Sequence, residues 1–151
     1  MKIRIFGKLD NATKELLKEA ASFYSTSLIS KKVNEKISIS IKLVPGLLKK
    51  EKIFGDIEWL DRPRNPRKFR IRLCADLKQR KLLKVLAHEM THVKQYAKGE
   101  LFDYADGRVK YMGQNHDPKK INYFNHLWEI EALGRELGLY YQFRHHLKRK
   151  K

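Results

Sequence analysis

The sequence has one cysteine, no apolar run of signal-peptide length in its first residues and no long apolar stretch. A single cysteine, Cys74, among 151 residues excludes an intrachain disulfide framework. The N-terminus, Met1-Lys2-Ile3-Arg4-Ile5-Phe6-Gly7, is charged and carries no apolar run of signal-peptide length. No apolar stretch approaches the roughly 20 residues needed to cross a bilayer, so a soluble cytoplasmic protein with no membrane partner is expected. Acidic residues are scarce: 17 Asp and Glu face 34 Lys and Arg, a formal charge of +17. Such an excess draws a protein to polyanions, nucleic acid first among them, through salt-sensitive phosphate contacts. No base-reading motif accompanies the charge, and a generic solvated basic surface is the competing reading. Internal repeats and low-complexity tracts are absent. The 42% hydrophobic content, with seven Phe, seven Tyr and two Trp, describes a chain that buries a core. The length suits one domain, residues 1–147, followed by a basic tail at 148–151.

Hydrophobic periodicity divides the chain. Asn11 to about Ser30 reads as a helix with Leu16, Ala20, Phe23, Ser27 and Leu28 on one face and Asp10 or Asn11 as its cap. Ile37, Ile39, Ile41 and Leu43 alternate with polar residues, a half-buried strand that stops at Val44-Pro45-Gly46. A second strand is expected over Phe54 to Leu60. After the proline-punctuated loop Asp61 to Arg67, a third over Lys68 to Cys74 sets Phe69, Ile71 and Leu73 against Lys68, Arg70 and Arg72. The basic side of that strand reads as a charge-protected sheet edge or as part of a nucleic-acid surface. Beyond Gly99 the pattern suggests a hairpin turning near Asp106-Gly107, and Tyr123 to about His146 reads as the last helix.

One stretch carries chemistry. His88-Glu89-Met90-Thr91-His92 is an HExxH pattern inside a helical run, with Leu82, Leu86, Val93 and Ala97 available for burial, Asp76 as the expected N-cap and Gly99 as the stop. Residues four apart share a helix face, so both imidazoles can reach one cation. Glu89 falls at the edge of that face, where a carboxylate can hold a water against the metal as general base. With six His in 151 residues, an accidental match has roughly a 1.5% chance.

A catalytic zinc site needs a third protein ligand and an open position. The downstream candidates are Asp103, Asp106, His116, Asp117, His126, Glu129, Glu131 and Glu136. A carboxylate on a long helix is held rigidly, which favours the Trp128-Glu129-Ile130-Glu131-Ala132 stretch. Glu129 and Glu131 lie about 200° apart around a helix, so only one can face the metal.

His88 to Gln95 followed by Tyr123 to Glu136 resembles the small HExxH proteins, often phage-encoded, of the SprT-like or gluzincin-type zinc metallopeptidases. The resemblance covers the second half of the chain. Gluzincins take a glutamate from a later helix as third ligand, often opening a Glu-x-x-Ala pattern, and this implies Glu129, with Ala132 one turn on. Glu131 remains an alternative, and so does His116, because SprT-like proteins use a third histidine. Leu133 stands where many gluzincins carry an acidic residue that supports a ligand histidine, and Leu127 stands where proline is frequent. The resemblance implies an α+β, zincin-like fold: an N-terminal helix over a small sheet of three or four strands, mixed or antiparallel, then the HExxH helix, the hairpin and a C-terminal glutamate-bearing helix. It implies a zinc-dependent peptidase acting on protein or peptide, near nucleic acid as SprT-like proteases do, with His88, His92 and Glu129 on the metal and Glu89 as base. Related folds lay substrate along a strand beside the metal helix, here Phe69 to Cys74 or its neighbour. Tyr104, Tyr111, Tyr123, His116 and His126 are the candidates for oxyanion stabilisation. The rival is a non-catalytic zinc-containing nucleic-acid-binding or virion structural protein, against which retention of Glu89 argues.

Overall fold

A computed structural model describes all residues from Met1 to Lys151. Its elements run β1 (Lys2–Phe6), α1 (Asn11–Leu28), α2 (Lys31–Asn34), β2 (Ser38–Val44), α3 (Leu47–Glu51), β3 (Gly55–Trp59), β4 (Lys68–Cys74), α4 (Gln79–Ala97), β5 (Leu101–Asp103), β6 (Val109–Tyr111), β7 (Gln114–His116) and α5 (Leu127–Arg149), with 3-10 turns at Pro118–Lys120 and Tyr123–Asn125 before α5. The architecture is α+β. Four strands form a mixed sheet in the order β1-β2-β4-β3, in which β1 and β4 flank β2 in parallel and β3 joins β4 antiparallel. A second sheet, β5-β6-β7, is antiparallel throughout.

The alternating strands put one row of side chains on each face. Ile3, Ile39, Phe69 and Trp59 share one register line and Ile5, Ile41, Ile71 and Ile57 the next. These lines meet α1, α4 and α5 in a core that includes Leu17, Tyr24, Leu82, Leu86, Met90 and Phe143. Each such aliphatic or aromatic side chain contributes about 1.5–3 kcal/mol by leaving water. The buried face of α1 is Leu17, Ala20, Ala21, Tyr24 and Ser25, one position round from the expected Leu16-Phe23-Ser27 line. The Tyr24 hydroxyl, which donates to the Leu83 carbonyl at 3.2 Å, fixes that rotation. Asp10 caps α1 as expected, accepting from the Thr13 amide at 2.8 Å.

The expected strands change in three places. A strand, β1, precedes the first helix, and the charged Lys2-Ile3-Arg4-Ile5 run is its alternation. Strand β4 lies inside the sheet rather than at its edge; β3 is the edge on that side. The expected two-stranded hairpin has a third strand, and its Leu101 and Val109 pack with Trp128 of α5 as a small separate cluster.

Two glycines set the position of α4. A Cβ on Gly55 would stand 2.8 Å from the Arg72 carbonyl and 2.9 Å from Cγ1 of Val85, so glycine lets β3 lie against α4. Gly99, at φ +74°, supplies the left-handed residue that ends α4. At the other end, the expected N-cap Asp76 accepts from the Gly46 amide instead, at 2.6 Å, and Lys78 takes the cap position without a side-chain bond.

Candidate metal centre

Helix α4 is threaded through the core. Leu82, Leu83, Leu86, Met90, Val93 and Ala97 all belong to the main cluster, and their packing fixes the rotation of the helix. That rotation turns His88 and His92, four residues apart, toward α5. Their Nε2 atoms lie 3.2 Å apart. Glu129, in the first turn of α5, brings Oε2 to 3.0 Å from His88 Nε2 and Oε1 to 3.2 Å from His92 Nε2. The three side chains are close enough together to hold one metal ion. Ligands about 2.1 Å from a tetrahedral ion stand roughly 3.4 Å from one another, near the separations seen.

Hydrogen bonds on the far side of each ring set the tautomers. His88 Nδ1 is 3.1 Å from Glu136 Oε2, an acceptor only, so Nδ1 carries the hydrogen and Nε2 presents its lone pair. His92 Nδ1 is 2.8 Å from Gln95 Oε1. The Gln95 amide is held in that orientation because its Nε2 donates to the Trp128 carbonyl at 2.9 Å and to Glu131 Oε1 at 2.8 Å. Two imidazole lone pairs and a carboxylate therefore point at one another, an arrangement that repels itself unless a positive charge sits among them. Where no metal ion is bound, a proton supplies that charge: burial opposes a charge on His88, yet its hydrogen bonds to Glu129 and Glu136 lift it to about 10, and Nε2 then donates to Glu129 instead of presenting a lone pair. Burial likewise opposes ionisation of Glu129, but bonds from His88, His92 and Tyr123 hold its carboxyl far below the usual range. The donor set fits a metal cation.

Glu131, the rival ligand, faces the other way. It accepts from Lys94 Nζ at 2.6 Å, Gln95 Nε2 at 2.8 Å, Arg135 Nε at 2.9 Å and the Tyr111 hydroxyl at 3.3 Å. Lys94, itself buried, also pairs with Glu100 at 2.8 Å. Glu131 thus acts on the site through Gln95. His116, the other rival, packs against Trp128 with ring centroids 5.8 Å apart and lies outside the donor cluster. The acid missing at Leu133 is replaced by Glu136, seven residues after Glu129 and therefore on the same face of α5 two turns on. Gln95 and Glu136 are partners that motif reading passed over. The i, i+3 spacing of His92 and Gln95 and the i, i+7 spacing of Glu129 and Glu136 were the available signals.

Glu89 is 5% exposed. Its carboxylate makes no hydrogen bond to protein, although neither oxygen is a sealed, partnerless atom. Burial pushes it up to about 7, while His92 and His88 pull the other way. Of the proposed oxyanion partners only Tyr123 reaches the cluster, donating to Glu129 Oε2 at 2.8 Å. Tyr104 donates to Asn115 Oδ1, Tyr111 to Glu131, and His126 Nε2 to the Pro118 and Ile121 carbonyls. Asp103 joins Trp59 Nε1 and the Tyr96 hydroxyl, tying β5 to β3 and α4. Asp106 and Asp117 bond to nearby amides of their own turns.

The basic face of β4 is largely neutralised: Arg70 pairs with Glu58, and Arg72 with Asp56 and Glu51. No helix is long and apolar enough to cross a membrane. Comparison with family models, with curated proteins and with solved structures returns no match for this chain.

Proposed function

We propose that the protein is a zinc-dependent peptidase whose metal is held by His88, His92 and Glu129. The observation that carries this reading is the pairing of a three-donor cluster with a buried carboxylate, Glu89, that has no protein partner. Bound zinc would polarise a water and the carbonyl oxygen of a peptide bond. Glu89 removes the water proton as the water oxygen adds to the carbonyl carbon. It then delivers that proton to the departing amine as the C–N bond breaks. Burial favours this exchange, because a carboxylate whose affinity for a proton is raised can both accept and return one near neutral pH. The Tyr123 hydroxyl would supply a donor for charge developing on the carbonyl oxygen by turning its one hydrogen from Glu129 to the substrate. The free edge of β3, brought against α4 at Gly55, offers backbone groups to an extended substrate. It is the neighbour of β4, not β4 itself, that has this open edge.

A site that only stabilises the fold needs ligands but no base, and the unpartnered Glu89 argues against it. Protein purified without a histidine tag should contain close to one zinc per chain; less than about 0.2 after supplementation would remove the metal from the proposal. Glu89→Gln should keep the zinc and lose hydrolysis of an unfolded protein such as casein. Cleavage that persists in Glu89→Gln would show that another group is the base.

A further inference from the structure

The face of α4 that bears His88 continues toward the N-terminus of the helix as a row of cations. Lys84 and Lys81 precede His88 by four and seven residues and so share its face. The ion pairs of α4 are made by His88, His92 and Lys94; Lys78, Arg80, Lys81 and Lys84 have no carboxylate partner. The Lys81 ammonium lies 4.3 Å from the ring centroid of Phe54, the exposed residue that precedes β3. Arg80 stands 5.6 Å from the Tyr140 ring centroid and donates to the Tyr141 hydroxyl at 3.3 Å.

Across from this row, α5 runs antiparallel to α4. Glu129 meets His92, Glu136 meets His88, and Tyr141 meets Arg80. Between those contacts Leu133, Leu137 and Tyr141 follow one another at four-residue steps, and they are 37%, 44% and 54% exposed. They form an apolar line about 12 Å long that begins beside the metal donors. Exposed apolar residues this concentrated mark an interaction surface.

We propose that this strip receives the part of the substrate on one side of the reacting bond, and that it selects polypeptide segments combining a carboxylate with bulky apolar side chains. The inference rests on the peptidase reading above. Ammonium groups without a carboxylate partner at half-buried Lys81 and Lys84, with the exposed Arg80 guanidinium beside them, attract and orient carboxylates, while the leucines favour apolar side chains. A second copy of the chain is a poor occupant because each copy carries a net charge of +17. Nucleic acid would satisfy the cations but would leave Leu133 and Leu137 without a use, since bases stack on aromatic rings rather than on branched aliphatic groups.

The test uses the zinc-loaded full-length Glu89→Gln protein and fluorescent peptides of about ten residues. One peptide carries Asp with Leu and Phe, the second replaces Asp by Lys, and the third replaces Leu and Phe by Ser. Anisotropy titrations should give the first peptide at least about a tenfold advantage over each of the others. Lys81→Glu combined with Lys84→Glu should invert the charge preference, and Leu137→Ser should weaken the apolar one, with zinc content and thermal midpoint retained. Equal affinity for all three peptides overturns the proposal. So does a charge preference that the double reversal leaves unmoved, or competition by single-stranded oligothymidine whose own binding the same reversal abolishes. The two readings fail separately. Selective peptide binding by a wild-type protein that cleaves nothing refutes hydrolysis and keeps the strip. Cleavage without selectivity refutes the strip and keeps hydrolysis.

Discussion

The two helices that hold the metal donors are built on opposite principles. In α4, 14 of 19 residues are buried; in α5, only 5 of 23 are. Position on α4 is therefore set by apolar packing on nearly every side, so its histidines are placed by the core. On α5 the apolar contacts form a narrow seam of Trp128, Ala132, Leu139, Tyr140 and Phe143. Glu129 is then oriented by polar neighbours: His88, His92 and Tyr123 bond to it directly, and Glu131, two residues on, clamps the first turn of the helix to Lys94 and Gln95. One helix carries a precise site because it cannot rotate. The other carries a precise ligand because a charge network holds its end.

The largest effect that could break this contrast is a cavity in α4. Leu86 is fully buried two residues before His88. Leu86→Ala should cost about 2–5 kcal/mol in chemical denaturation, and it should weaken metal binding as well, since the histidines lose their backing. A stability loss below about 1 kcal/mol would mean that the core does not set the helix.

How much of this was legible beforehand follows the same line. Periodicity within one element could be read directly, so β2, β4 and α4 were found near their observed limits, and the HExxH spacing set the two imidazoles on one face. Glu129 came from the resemblance that implied it, and the inter-helix geometry brings it to the histidines. What the residues could not disclose depends on pairing between distant segments. Whether β4 is an edge is decided by where β3 docks, 9 residues earlier in the chain. The role of Glu131 is decided by the antiparallel register of α4 and α5, which sets it opposite Lys94 and Gln95. The N-terminal strand was not read from the short, charged Lys-Ile-Arg-Ile alternation, and its pairing with β2 is what makes it a strand.

Intermediate effects probe the polar side of the contrast. Glu136→Gln removes the charge that faces His88 Nδ1, and Glu131→Gln removes the charge that fixes the Gln95 amide. Either should lower metal affinity by about 10–100-fold, the usual cost of losing a partner of a ligand histidine. Glu131→Gln should also lower the thermal midpoint more than Glu136→Gln does, because it strips a carboxylate from the buried Lys94, leaving Glu100 alone to balance it. Competition with a chelator and a melting curve measure both. If Glu131→Gln leaves metal affinity unchanged, the relay through Gln95 has no hold on His92. A double variant, Gln95→Ala with Glu131→Gln, sharpens this: the two changes should be far from additive, since both act through one hydrogen bond to His92.

The smallest effect is expected where α5 faces away from both core and network. Ile130 follows Glu129 directly and is 49% exposed, so Ile130→Ala removes about as much hydrocarbon as Leu86→Ala but almost none that the fold has withdrawn from water. Surface changes of this kind stay within about 0.5 kcal/mol, which in a chain of this size moves the thermal midpoint by no more than about 2 °C. The comparison is informative because both changes cut a branched aliphatic side chain on a helix back to alanine, one buried in α4 and one exposed on α5. Should Ile130→Ala cost as much as Leu86→Ala, with the loss growing at higher protein concentration, the outer face of α5 would be covered in solution by another chain. The asymmetry between α4 and α5 would then belong to the isolated protomer alone.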